Sequence, residues 1–289
     1  MNLGKISKFN VVRETNLGYV LEKDYIEYFL HHNECNGKLL YPGDSVDAFL
    51  YMDKKNRVAA TLYKPLLEAN QIAFLKVVGV KPEIGVFCNI GISKDILLSR
   101  DDLPHSFKDW PVVDDYVLVE LRVKNNHLIL KPASKTKILE KQKEIYGEDL
   151  PKLAMSSICS GRVYRITADG INIVTDDYNV IFIFKTNFRK NYRLGELVDV
   201  KIIDVHADDY SGTINKNKEF QIQDDLKIIE DYLNANNGVC LITEKSSPEL
   251  INRVFNMSKA AFKKALGALL KQNKIEITDT KIILIDYKF

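Results

Sequence analysis

A chain of 289 residues, 46% hydrophobic, is too long for one small module and has apolar material for two or more cores. Its net charge of +2 and sequence pI near 8.1 exclude a domain basic throughout, since dedicated basic modules have a pI above about 9; any electrostatic footprint must be local. The start, "MNLGKISKFN", has no apolar h-region, and later apolar runs such as "IILI" are strand-sized. No signal peptide or membrane span is expected, and a cytoplasmic location follows.

Three stretches of the chain repeat one plan. The first, residues 1–67, opens with "GKISKFNVVRETNLGYVLEKD" and continues from Leu39 with "LLYPGDSVDAFLYMDKKNRVAATLYKP". The second part holds an aromatic-containing turn, Gly-Asp, a strand, a polar turn and a second short strand. Between the two, "HHNEC" brings His31, His32 and Cys35 together, but no second ligand cluster follows at a zinc-like spacing, so no metal is expected. The four cysteines, Cys35, Cys88, Cys159 and Cys240, form no C-x-x-C pair and read as reduced, mostly buried thiols.

The second unit, residues 68–133, combines "AFLKVVGVKPEIGVFCNIG" with "DWPVVDDYVLVELRVKNNHLILKP". Val117, Val119 and Leu121 alternate as the inward side of a strand. In "IGVFCNIG", Val86, Cys88 and Ile90 face a core while Phe87 and Asn89 face out. An outward Phe87 can stack a nucleobase, or it can pack on a neighbouring domain.

Residues 134–155, "SKTKILEKQKEIYGEDLPKLAM", break the strand pattern: helix formers run to Tyr146, then Gly147 and Pro151 stop them. The third unit, residues 156–220, has "CSGRVYRITADGINIVTDDYNVIFIF" and then "NYRLGELVDVKIIDVHADDYSGTINK", with Val198, Val200 and Ile202 inward. Its "GRVYR" is expected to place Arg162, Tyr164 and Arg165 outward around Val163. Its "FKTNFRKNYRLG" interleaves Lys185, Phe188, Arg189, Lys190, Tyr192 and Arg193 with no acidic residue between Asp177 and Glu196. Such interleaving neutralises phosphates and stacks bases together, or anchors a loop to its core.

Over residues 221–289 the period changes from two to 3.6. "DDLKIIEDYLNANNG" reads as a helix with acids near its start and Gly238 past its end. Ser247 and Pro248 open another, and Ser258 caps a third, "KAAFKKALGALLKQ". The third helix puts Phe262, Ala265, Leu266 and Leu269 on one side and Lys259, Lys263, Lys264 and Lys271 on the other. "KIEI" and "KIILIDY" follow as a hairpin, giving the element order of a winged helix. The fold class is thus mainly β with a C-terminal α+β domain: five short strands in about sixty to seventy residues is the size of an OB-type barrel, repeated three times before a winged helix.

The barrels resemble the RNA-binding domain of ribosomal protein S1, a likeness carried by "GVKPEIGVFCNIG" and "LGELVDVKII". "SSPELINRVFNMSKAAFKKALGALLKQNKI" and the whole order of three barrels, linker and winged helix resemble the conserved virulence factor B family. That resemblance implies RNA binding, a post-transcriptional regulatory role and no catalytic activity. The S1 pattern carries aromatics at two positions around its G-x-F turn. Ile84 and Phe87 fill them in the second barrel, Leu17 and Val20 in the first, Asp169 and Asn172 in the third.

The expected function is a non-enzymatic protein holding single-stranded RNA on the second and third barrels and the winged helix, with no cofactor. Two readings stay open beside it. One is a DNA-binding regulator; the third helix, however, offers no Arg, and Gln272 and Asn273 lie at its far end. The other is a protein-interaction scaffold of degenerate barrels.

Overall fold

The computed structural model describes residues 3–53, 55–214 and 218–285. The chain divides into two compact units, one of Met1–Phe184 with Asn191–Gly212, the other of Lys185–Lys190 with Thr213–Phe289.

The first unit holds three closed five-stranded barrels. The strands are β1 (Ile6–Thr15), β2 (Gly18–Lys23), β3 (Ile26–His31), β4 (Ser45–Met52) and β5 (Val58–Thr61) in the first. The second has β6 (Ile72–Lys81), β7 (Gly85–Cys88), β8 (Ile96–Ser99), β9 (Tyr116–Lys124) and β10 (His127–Pro132). After the helix α1 (Lys135–Tyr146) the third has β11 (Ile158–Ile166), β12 (Gly170–Val174), β13 (Val180–Phe184), β14 (Leu197–Val205) and β15 (Tyr210–Thr213). All three share one order: the first strand pairs with the second and fourth, and the third runs parallel to the fifth.

Two details of the repeat follow from local chemistry. The first strand of each barrel is bulged, between Val11 and Arg13, Val77 and Gly79, and Val163 and Arg165, which bends it enough to close the barrel. The second strand of each begins with glycine, Gly18, Gly85 or Gly170; a Cβ there would collide with the carbonyl oxygen of Leu30, Leu98 or Ile183 across the sheet. That is the physical reason for the glycine of the G-x-F turn.

The strand Ile26–His31 lies within residues 1–67, between the two stretches of the first barrel quoted from the sequence. It is joined to β2 through Asp24 and Tyr25, both at positive φ, a twist-matched hairpin turn without the usual Asn-Gly signal. In β9, Leu118 and Glu120 are buried along with the expected Val117, Val119 and Leu121. The reason is a shared core: Leu118 joins Ile72, Ala133, Ile138 of α1, and Tyr164, Val174 and Val180 of the third barrel in one cluster. The solvated linker helix therefore also has an inward side, and burying Ile138 alone stabilises the arrangement by about 1.5–3 kcal/mol.

The second unit holds α2 (Lys218–Ala235), β16 (Val239–Cys240), α3 (Pro248–Phe255), α4 (Lys259–Lys271), β17 (Ile275–Ile277) and β18 (Ile282–Leu284), the strands ordered β16-β18-β17. Ser247 Oγ accepts from Leu250 N, with Pro248 in the first turn, and Ser258 Oγ accepts from Ala261 N, so both expected caps are made. Helix α2 begins ahead of Asp224, because Lys, Glu and Gln continue the helical run upstream. Its core is Ile229, Leu233, Phe255, Phe262, Leu266 and Leu269. Among the described residues no helix is long and apolar enough to cross a membrane.

Candidate functional site

The sheet register aligns the three barrels residue by residue. Across the first three strands, Arg13, Val20 and Phe29 stand abreast in the first barrel. Gly79, Phe87 and Leu97 take the same places in the second, and Arg165, Asn172 and Phe182 in the third. Cross-strand partners point to one side of a sheet, so each trio is an outer row. One step along, the glycine opposes His31, Ser99 or Phe184, so the directly opposite position carries no side chain.

Phe87 is half-buried, with Cys88 and Val86 fully inside, as the alternation requires. Lys81 Nζ lies 5.6 Å from its ring centroid, a cation at an aromatic face. In the third barrel Asn172 occupies the place of Phe87, and the aromatics stand one strand over. Phe182 and Phe184 meet edge to face with centroids 4.7 Å apart, Phe184 being exposed. Arg165, exposed in the same row, makes no ion pair among the described residues. The first barrel has Phe29 edge-on to His31, but Arg13 is spent on Glu27, donating from Nη1 and Nη2 at 2.6 and 2.8 Å.

Several residues singled out in the sequence have other surroundings. Tyr164 does not point outward: it is the extra residue of the bulge, so it turns into the shared core, where burial pushes its hydroxyl up to about 12. Arg162 is half-buried, its guanidinium carbon 5.1 Å from the ring centroid of Tyr116 in the second barrel. Tyr192 is buried and likewise pushed up to about 12 by burial. Arg193 donates to Asp115 from Nε at 2.8 Å and Nη2 at 3.0 Å. Gly195, at positive φ, brings this turn close, since a Cβ there would stand 3.0 Å from Asp115 Cβ and from Tyr116 O.

Within the second unit, Arg189 Nη1 donates to Asp225 Oδ1, and its carbonyl accepts from Asn256 Nδ2 at the end of α3. Burial raises the Asp225 carboxyl, with Arg189 opposing. Phe188 is half-buried; Lys185 and Lys190 are exposed. On α4, Lys259 Nζ donates to the Ser246 carbonyl at 3.0 Å and Lys263 Nζ lies 3.4 Å from Glu244. Lys264 and Lys271 are exposed and make no ion pair among the described residues.

The "HHNEC" side chains go to separate tasks: His31 Nδ1 accepts from Asn33 N, His32 meets the edge of Tyr19, and Cys35 is buried. Sequence reasoning missed Phe29, Phe182 and Phe184. The signal was present in "VIFIF", whose period of two sends Ile181 and Ile183 inward and both phenylalanines outward.

Tandem S1-like barrels followed by a winged helix define a multidomain S1-type protein. An S1 domain matches residues 3–63, the CvfB first S1-like domain 72–130, the virulence regulatory factor CvfB second domain 151–215, and the CvfB-like winged helix domain 227–284. The chain belongs to the conserved virulence factor B family. It is 30% identical to conserved virulence factor B of Staphylococcus haemolyticus, over 88% of this chain and 85% of that one. It is also 33% identical to the uncharacterized protein YitL of Bacillus subtilis, over 95% and 91%. A crystal structure from Streptococcus pneumoniae, described as a multidomain protein with nucleic acid binding domains, aligns over 98% of this chain and 99% of its own at 26% identity and a TM-score of 0.61.

Proposed function

We propose that the chain binds single-stranded RNA on the outer rows of its second and third barrels, with the winged helix adding phosphate contacts, and acts after transcription as a non-enzymatic regulator. The observation that carries this is the equivalence of Phe87 with Asn172 and of Leu97 with Phe182: each barrel keeps aromatic surface on the same outer row, on a different strand. Stacking on such rings is tolerant of sequence and contributes about 1–3 kcal/mol per base. Arg165, in the row of Phe182 with Asn172 between them, and Lys81 beside Phe87 bring positive charge to the phosphates that follow. The nucleic acid binding named for the Streptococcus pneumoniae structure agrees with this reading.

A single strand is favoured over a duplex because stacking needs unpaired bases, and α4 offers Lys rather than Arg, Asn or Gln near its start. Titrating labelled single-stranded RNA, single-stranded DNA and duplex DNA at several salt concentrations tests the proposal. Tighter, salt-dependent binding of RNA supports it; duplex DNA binding as tightly would favour a DNA regulator, and no binding at any salt a protein scaffold.

A further inference from the structure

A cleft of about 690 Å³ lies at the junction of the first and second barrels. From the first barrel it is lined by the rings of Phe29 and Tyr63, by Lys55, and by Glu34 in the 3₁₀ turn after β3; from the second, by Ser93 and Lys94. Both barrels belong to the same compact unit, and Lys94 Nζ ties them by donating to the Met52 carbonyl at 2.6 Å.

Glu34 is the unusual member. It is 9% exposed, Ser93 Oγ donates to its Oε1, and Tyr51, whose hydroxyl is raised chiefly by burial, interacts with both side chains. Its other oxygen, Oε2, is buried with no hydrogen-bond partner among the described residues. A buried acceptor without a donor is costly, and such a group at the wall of a ligand-sized cleft points to a donor that arrives with a ligand.

We infer that this cleft is a guanine site, with Glu34 as the base-reading residue. An ionised carboxyl accepts only, through two adjacent oxygens. Guanine alone among the four RNA bases presents two adjacent donors, N1–H and N2–H, on its Watson–Crick edge. Adenine and cytosine set one donor beside an acceptor, and uracil sets one between two acceptors, which would face the carboxyl oxygens unfavourably. Phe29 and Tyr63 supply the apolar and stacking walls, and exposed Lys55 a charge for the attached phosphate. The same chemistry fits a guanosine within an RNA strand or a free guanine nucleotide. The strand is the occupant that extends the proposed single-strand reading, on which the inference rests: Phe29 stands in the first barrel at the row position Phe182 holds in the third.

The test uses the full chain and fluorescent oligouridines carrying one central guanosine, inosine or adenosine, with GMP titrated separately by calorimetry. The guanosine oligomer should bind about tenfold more tightly than the adenosine one, the scale of a good two-point base contact. Inosine, lacking the N2 amino group, should lose most of that gain. Glu34→Gln replaces one acceptor by a donor, so it should abolish the guanosine preference, bringing the guanosine and adenosine oligomers to equal affinity. The inosine series decides the matter even where Glu34→Gln folds poorly, because it alters no protein atom. Oligomers that bind equally whatever the central base, together with no GMP binding, would overturn the site while leaving the single-strand reading intact. GMP binding lost in Glu34→Gln, with no oligomer bound, would keep the site and remove the strand.

Discussion

Arg193 of the third barrel holds Asp115 of the second with two parallel donors, Nε at 2.8 Å and Nη2 at 3.0 Å. The carboxyl is mostly sheltered and the guanidinium a third exposed. Hydrogen bonding to Asp115 is the largest cause raising the Arg193 pKa. A paired fork of this kind fixes orientation as well as charge, so a cation that reads from sequence as a phosphate contact acts here as a clasp between barrels.

Arg193→Ala should therefore destabilise the protein by about 1–2 kcal/mol, a figure discounted from fully buried charged pairs because water screens the guanidinium. Asp115→Ala should cost a similar amount, and the double variant little more than either single one. Chemical denaturation of the four proteins gives the coupling. Additive losses would show that the two side chains do not support each other.

Phe87→Ala and Phe182→Ala should each weaken single-stranded RNA binding by about 1–3 kcal/mol. Both rings are half-exposed on outer rows, so melting temperature should shift far less than for a core phenylalanine such as Phe49. Affinity and melting temperature measured on one preparation separate the roles. A large loss of melting temperature with affinity per folded molecule retained would make these rings packing residues.

How much of this was legible in the sequence depends on the range of the interaction. Phe87 beside Cys88, and the capping serines Ser247 and Ser258, are local patterns, and period and cap chemistry place them correctly. Tyr164 fails because one bulge residue reverses the alternation beyond it, and nothing in "GRVYR" announces a bulge. Arg189 and Arg193 stand in a window free of acids, yet their partners Asp225 and Asp115 are 36 and 78 residues away. The Ser93–Glu34 contact spans 59 residues in the same way. Charge counted along the chain cannot foresee partners that topology brings together.

The thiols give a test independent of any ligand. Burial, with the Asp95 charge second, pushes Cys88 up to about 12, and burial also raises Cys159, which is only half-buried. The thiolate is the reactive form, so alkylation at mildly alkaline pH should be slow at Cys159 and slower still at Cys88, Cys35 and Cys240, which are buried. Raising the pH should speed labelling, and unfolding should expose all four. Peptide mapping after timed iodoacetamide treatment reads the order. Cys88 labelling in the native protein as fast as free cysteine would contradict the closed second barrel.

The lysines of α4 divide into two pairs. Lys259 is bonded to the Ser246 carbonyl and Lys263 lies near Glu244, whereas Lys264 and Lys271 are exposed without an ion pair among the described residues. If the winged helix contributes phosphate contacts, neutralising Lys264 and Lys271 together should make the slope of log affinity against log salt shallower by about 1.4, since each phosphate neutralised on a single strand contributes roughly 0.7. Neutralising Lys259 and Lys263 should change the slope less, because part of their charge is already engaged. Stability should scarcely change in the first pair, since both positions lie opposite the buried Phe262, Leu266 and Leu269 and alanine is the better helix former. An unaltered slope in folded Lys264→Ala/Lys271→Ala protein would remove α4 from the RNA interface and leave binding to the barrels alone.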